Sequence, residues 1–443
     1  MSATKAERYT AYKDCGAAWM GKIPEHWKFV RVKDLISKIT SGVTPRGGAE
    51  SYVDAGIPFL RSQNVHNDGL RLEDVSFISE STHKEMINSQ VKPGDIVFNI
   101  TGASIARTCI VPEAIKTANI SQHIALLRPR KLNDTKFISY YLQSQLVKDY
   151  VYLTQSGASK EAFNHGQMKC IPVSLPTRPE QTAIADFLDT KTSQIDRKID
   201  LLSQKATHYR KLKQSLINET VTRGFDRSVP MKDSGVEWIG KVPEHWAVRR
   251  INDIAIQNKT KNINLFETNL LSLSYGRIIR KDFNTSFGLL PESFETYQVV
   301  NEGTVILRLT DLQNDQRSLR VGLASERGII TSAYLGLVFN RSINSNFAYY
   351  LLHLYDLAKV FYWFGGGLRS TMRFDDIKVI PFVIPPVDEQ EVIAHYLDEK
   401  STQIDRIVKA INNQIDKLKD MRKALINDVV TGKIKVTSQR FSI

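Results

Sequence analysis

The chain has 443 residues, 42% of them apolar and 24% charged, which is too long for one ordinary core and typical of a folded protein with two or three domains. Sixty Lys and Arg against 47 Asp and Glu give a net charge of +13, and no block of five or more like charges accounts for it, so the excess is spread over the chain, as on a solubilising surface or on a binder of a polyanion such as nucleic acid. No apolar run is long enough to cross a bilayer, the N-terminus "MSATKAERYTAYKDCG" lacks the apolar centre of a signal peptide, and Cys15, Cys109 and Cys170 fall in no zinc or paired spacing, so a cytoplasmic protein that meets no membrane and holds no structural metal is expected.

In chain order the first feature is a Trp-containing turn, "WMGKIPEHW" (19–27). It returns as "WIGKVPEHW" (238–246), and the match widens to 13–35 against 232–254 at a constant offset of 219. Between the turn and the first helices lie short apolar segments split by Gly, Pro and Asn. "GIPFL" (56–60), "DVSFI" (74–78), "GDIVFNI" (94–100) and "HIALLRP" (123–129) read as strands. "KFISYYLQSQLVKDYV" (136–151) has helical spacing, and "NFAYYLLHLYDLAKVF" (346–361) corresponds to it. "VKPGDIVFNI" (91–100) faintly echoes "VNEGTVILRL" (300–309) at offset 209; otherwise the centres of the two halves are unalike. A compact mixed α/β domain of about 150 residues is expected in each half.

A long helix follows each centre. Residues 178–222 contain no Gly and no Pro beyond Pro179, which suits a first turn; Gly224 is the expected stop. In the second copy Asp388 is the expected N-cap and Gly432 the stop. "IPVSLPTRPEQTAIADFLDTKTSQIDR" (171–197) and "IPFVIPPVDEQEVIAHYLDEKSTQIDR" (380–406) match at offset 209. Leu188, Ile195, Leu202, Tyr209 and Leu216 recur every seven residues, as do Leu397, Ile404, Ile411, Leu418 and Leu425. Ile199 and Ala206, with Val408 and Ile415, form a weaker second stripe. Such a period predicts a helix–helix seam, as in a coiled coil, rather than a helix lying on its own domain. A 45-residue helix is roughly 65 Å long at about 1.5 Å per residue, and only a short linker separates its end from the second Trp-turn, so the helices are expected to run antiparallel with a domain at each end, related by a pseudo-twofold axis.

The expected organisation is therefore a first domain over 1–178, a helix over 179–223, a linker over 224–236, a second domain over 237–387, a helix over 388–432 and a tail over 433–443. Two unlike basic domains on a helical strut have the geometry of a reader of a split DNA site.

The twice-written "W(M/I)GK(I/V)PEHW" turn and the "IPxxxPxxxEQ…I…LD…K…QIDR…LI" helices resemble the specificity subunit of type I restriction-modification enzymes over essentially the whole chain. The resemblance implies two target recognition domains, each reading one half of an asymmetric bipartite sequence in double-stranded DNA. It implies helices that space them and dock two methyltransferase subunits, with restriction subunits joining the complex. S-adenosylmethionine, ATP and Mg²⁺ would belong to those partners and none to this chain. Lengthening each helix by four residues, roughly 6 Å, should then lengthen the unread spacer.

The residues give no catalytic site. No GxxxxGK(S/T) loop and no Asn-Pro-Pro-aromatic tetrad occurs; "FGGGLRS" (364–370) lacks a strand–GxGxxG–helix setting, and "DIK" (376–378) is a chance-level match to half a nuclease motif. His26 with Glu25 and His245 with Glu244 recur without a third ligand, so the turn reads as framework anchored by Trp27 and Trp246. The competing reading is a two-headed protein-interaction scaffold. Candidate DNA contacts in the first domain are Arg46, Arg61, Ser62, Gln63, Asn64, Thr101, Ser104, Arg107, Ser159, Lys160 and Asn164. In the second they are Arg277, Lys281, Arg308, Thr310, Gln313, Arg369, Ser370 and Arg373, with Arg369 aligned to Lys160. Shared positions suit phosphate; unshared ones suit base discrimination.

Overall fold

The computed structural model describes residues 7–16, 19–154, 162–281, 293–312, 319–364 and 371–436. It forms two compact units, Met1–Leu202 with Asn413–Ile443, and Ser203–Asn412. Each unit holds one mixed α/β head, the first half of one long helix and the second half of the other. The helices run Arg178–Arg223 and Val387–Val430.

In the first unit an antiparallel sheet takes the order Thr108–Ile110, Ile96–Asn99, Ile124–Pro129, Ile36–Ser41. Its side chains alternate with period two between two cores. Ile96, Phe98, Ala125 and Leu127 face a core shared with the helix Thr135–Gln143 and with Ile184, Leu188, Ile426 and Val429 of the long helices. Val97, Ile124 and Leu126 face the opposite core. There lies a second sheet, in the order Ser76–Ile78, Ile57–Leu60, Ala118–Ile120, Gln90–Val91. The second unit repeats the first sheet as Ala255–Gln257, Leu335–Phe339, Val305–Leu307, Val321–Leu323. Val305 and Leu307 again face the long helices, with Ile306 on the other side. The faint echo at 91–100 and 300–309 is thus one strand built twice.

Each head is closed where it meets its helix. Lys28–Arg31, just after the first turn, pairs antiparallel with Pro172–Leu175, just before the first long helix. Ala247–Arg250 pairs in the same way with Pro381–Ile384.

Along the helices the heptad positions are buried or half-buried, and so are Ile199, Ala206, Val408 and Ile415. The pairing is antiparallel within each unit: Arg422 reaches Asp196 at 3.1 Å in the first, and Lys213 reaches Asp405 at 2.9 Å in the second. Where the seam meets the heads, Leu216 and Leu425 pack against the two head cores, and Leu188 and Leu397 enter them. Each of the latter two lies in its head's core, 0% exposed, beside the closing turns of the other long helix.

Three expectations need adjusting. The two shorter helices are each broken: Thr135–Gln143 gives way to Gln145–Thr154 at an extended Ser144, and Ser345–Leu357 to Val360–Phe364 next to Lys359 at φ 61°. Apolar spacing runs through both breaks because the core continues there. Asp388 is not the N-cap, because the second long helix starts at Val387 and Asp388 lies in its first turn. The segment read as a linker contains the strand Met231–Asp233, paired with Lys241–Pro243, as Tyr12–Asp14 pairs with Lys22–Pro24 in the first unit.

Candidate nucleic-acid interface

Each head is fixed to its helix by three polar residues of the repeated helix motif, and a fourth ties the helix to the opposing one. Glu180 accepts the Trp27 indole N–H at 3.1 Å and meets His26 Nε2 at 3.0 Å; Glu389 does the same for Trp246 and His245 at 3.1 and 2.9 Å. Both indoles are 0% exposed. Gln181 accepts the backbone N–H of Asp134 at 2.9 Å, and Gln390 that of Asn344 at 2.8 Å. Asp134 and Asn344 are themselves N-caps, each accepting two backbone N–H groups of a head helix. Asp189 accepts the Tyr140 hydroxyl and Asp398 the Tyr350 hydroxyl, both at 2.7 Å. Burial raises the pKa of both phenols, so each stays a donor. Asp196 and Asp405 complete the series, each bound to the opposing helix. The glycine that ends the partner helix fits against each Trp: a Cβ on Gly432 would lie 2.5 Å from Pro24 Cδ and 3.3 Å from Trp27, and one on Gly224 would lie 3.2 Å from Trp246. The repeated turn is therefore framework, as its recurrence suggests.

The candidate DNA residues distribute differently. At one end of the first head's main sheet, segments distant in sequence converge. Ser41 ends its strand with Gly42 N–H bonded to Ile124 O. Ile100 N–H bonds His123 O, and Phe163 N–H bonds Ile100 O. Thr101 bridges to Ala162. Arg107 precedes the strand Thr108–Ile110. Thr101, Ser104, Arg107 and Asn164 are thus brought together. The second head builds the same edge: Met372 N–H bonds Leu309 O, and Thr310 bridges to Thr371, which gathers Arg308, Thr310 and Arg373. Ser159, Lys160, Gln313, Arg369 and Ser370 lie outside the described residues.

Several candidates have structural tasks. Asn64 is 2% exposed; its oxygen accepts Arg61 N–H and its amide donates to Arg71 O. Arg61 lies over the Tyr52 ring and donates to Asp74 O, beside Ser62, whose carbonyl accepts from Asn99. Ser104 accepts from Asn99 at 3.0 Å, and Asn164 caps the helix His165–Lys169. Arg277 pairs with Asp405 of the long helix, and Arg308 forms main-chain bonds with Arg320. Arg46, Gln63, Arg107, Lys281 and Arg373 are exposed.

Three further residues at these edges carry no signal in the sequence. His123, exposed, meets Thr101 Oγ1 at 2.8 Å, and His165 meets Ser41 Oγ at 2.6 Å. Arg320 is buried at 0% exposure and donates to the carbonyls of Arg308, Thr310 and Asp311, holding the second head's edge loop. Nothing in local spacing marks any of them, because their partners lie on other segments. Among the described residues no helix is long and apolar enough to cross a membrane.

The family model for the type I restriction modification DNA specificity domain matches twice, over residues 24–206 and 243–417. The chain belongs to that family. Each match by this specificity-domain model begins at the proline of a Trp-turn, Pro24 or Pro243, and extends into the following long helix. The chain is 21% identical to the putative type I restriction enzyme MjaX specificity subunit of Methanocaldococcus jannaschii, covering 94% of this chain and 96% of the relative. It is 20% identical to the StySPI specificity subunit of Salmonella potsdam, covering 94% and 90%. Among solved structures, a chain of a type I R-M system studied for complex assembly and conformational transition superposes with a TM-score of 0.65 at 15% identity, covering 93% of this chain and 99% of that one. The specificity-domain fold is therefore shared along nearly the whole length.

Proposed function

We propose that the chain is the DNA sequence-specificity subunit of a type I restriction-modification complex, in which each head reads one half of an asymmetric, bipartite duplex site. One observation carries this reading: both heads carry the same strand-end edge on the same backbone bonds, yet display different side chains there. The same backbone frame with altered polar groups is what reading two unlike half-sites requires. The spread positive charge supplies attraction to phosphate.

The reaction chemistry belongs to partners. Two methyltransferase subunits dock on the helices and restriction subunits join them in the cytoplasm; S-adenosylmethionine, ATP and Mg²⁺ are bound there. Mapping methylated positions genome-wide, in cells carrying the intact system and in cells lacking this chain, tests the reading. A split asymmetric motif that vanishes with the chain supports it. A motif that persists without the chain, or no motif in either strain, overturns it and favours a protein-interaction scaffold.

A further inference from the structure

We propose that His123 and His165 are base-reading residues of the first half-site, each aimed by a hydroxyl on a neighbouring segment. The proposal rests on the reading of the heads as DNA readers and names where the first head's discrimination lies.

Both imidazoles sit at the strand-end edge. His123 Nδ1 is 2.8 Å from Thr101 Oγ1, and its ring is exposed. His165 Nε2 is 2.6 Å from Ser41 Oγ, half-buried at the start of its short helix. One ring nitrogen of each is thereby held; the second nitrogen of His123 meets the Gln122 amide at 3.4 Å, a long contact that a base can displace, and that of His165 remains to donate or accept. A hydroxyl can be either partner in such a bond, so the outward nitrogen can be matched to a base acceptor such as purine N7 or to an exocyclic amine. A ring fixed before binding loses little side-chain entropy on contact. Gln122, exposed and 3.4 Å from the other nitrogen of His123, adds a second polar group at the same place.

The internal repeat separates this role from a framework role. Thr101 and Thr310 are equivalent, and each makes an isolated bridge to the segment that leads into a short helix. Asn164 and Arg373 both precede short helices, but the next residue is His165 in one and Phe374 in the other. Phe98 faces Ala125 as Leu307 faces Leu335, and two residues before these partners stand His123 and Ala333. Ser41 faces Ala125 across the sheet; the second head has no Ser–His pair at this edge among its described residues. The backbone is kept and both imidazoles are lost. A group needed to fold the edge would persist in both copies; a group that reads a particular base need not.

The test uses the assembled methylating complex with His123→Ala, His165→Ala, Thr101→Val and Thr101→Ser, one at a time. Methylated motifs are mapped, and binding is competed against duplexes carrying single-base changes through both half-sites. Each His→Ala substitution is expected to relax preference at a position of the first half-site by roughly tenfold, leaving the second half-site as selective as before. Thr101→Val should relax the same position as His123→Ala, and Thr101→Ser should restore it. An unchanged first half-site in both His variants overturns the proposal. So does weakening that is uniform across the duplex panel, which marks phosphate contact or damaged folding. If the unaltered chain yields no motif, the DNA-reading function itself fails, a different result from an unchanged motif.

Discussion

Asp196 and Asp405 occupy equivalent positions of the internal repeat, and each is gripped by the repeat equivalent of the other's cation: Arg422 lies 3.1 Å from Asp196 and Lys213 lies 2.9 Å from Asp405. One antiparallel contact is therefore written twice, once in each unit. Asp405 also receives Arg277 from the second head, so this carboxylate joins head, helix and helix. Both carboxylates are partly exposed, which limits each pair to about 0.5–1 kcal/mol. A double-mutant cycle on Asp196→Ala and Arg422→Ala should give a coupling of that size by urea unfolding. Asp405→Ala should cost more than Asp196→Ala, because it releases two cations.

The Trp–Glu bonds should be worth more, since the indoles are buried. Trp27→Phe and Trp246→Phe keep most of the apolar contact and remove one N–H donor to a carboxylate. Each should destabilise its unit by about 1–3 kcal/mol. Glu180→Gln should be milder than Glu180→Ala, because an amide oxygen still accepts the indole N–H. Thermal unfolding of the full chain checks both comparisons.

Gly432 and Gly224 sit at φ 76° and 67°, in the left-handed region where only glycine is at ease. Gly432→Ala should be the more damaging, costing upward of about 1 kcal/mol. Its Cβ would meet the Pro24 ring at 2.5 Å, whereas that of Gly224 would meet the Glu389 carboxylate at 2.8 Å. A ring in the closed turn has less freedom to yield than a carboxylate on a flexible stem. Comparing the two melting temperatures decides it.

His353, in the second head, stacks on Tyr349 with ring centres 5.8 Å apart and stands where the first head has Gln143. Burial, with Lys213 nearby, lowers its pKa from 6.5 to about 4. The unfolded chain thus binds the proton more readily, and stability falls with falling pH from about 6.5 to about 4. His353→Gln should flatten melting temperature against pH across that window and leave the profile above pH 7 unchanged. An equally steep decline in the variant would assign the acid sensitivity elsewhere.

Much of this architecture is legible in sequence because it rests on periodic or duplicated local signals. The long-helix bounds fall within two residues of expectation, and the heptad positions are buried or half-buried. Trp27 and Trp246 mark the head–helix junction because two rare residues recur at one offset. The strand-end edge is less legible. Thr101, Ser104, Arg107 and Asn164 stand out as polar residues at segment ends, but Asn64 at the end of another segment is consumed by its own turn. His123 and Ser41 acquire meaning only when strands far apart in sequence become neighbours, and Arg320 only when a loop folds over it. Side-chain contacts across a sheet depend on which strands pair, and here Ile36–Ser41 pairs with Ile124–Pro129 across more than 80 residues of chain, which no local pattern carries.

The proposed function stands on one head reading one half-site. Exchanging residues 40–170 for the corresponding segment of another family member, and mapping methylated sequences in cells carrying the exchanged chain, tests it most directly. A new first half-site joined to the original second half-site is expected. A change in both halves would contradict it.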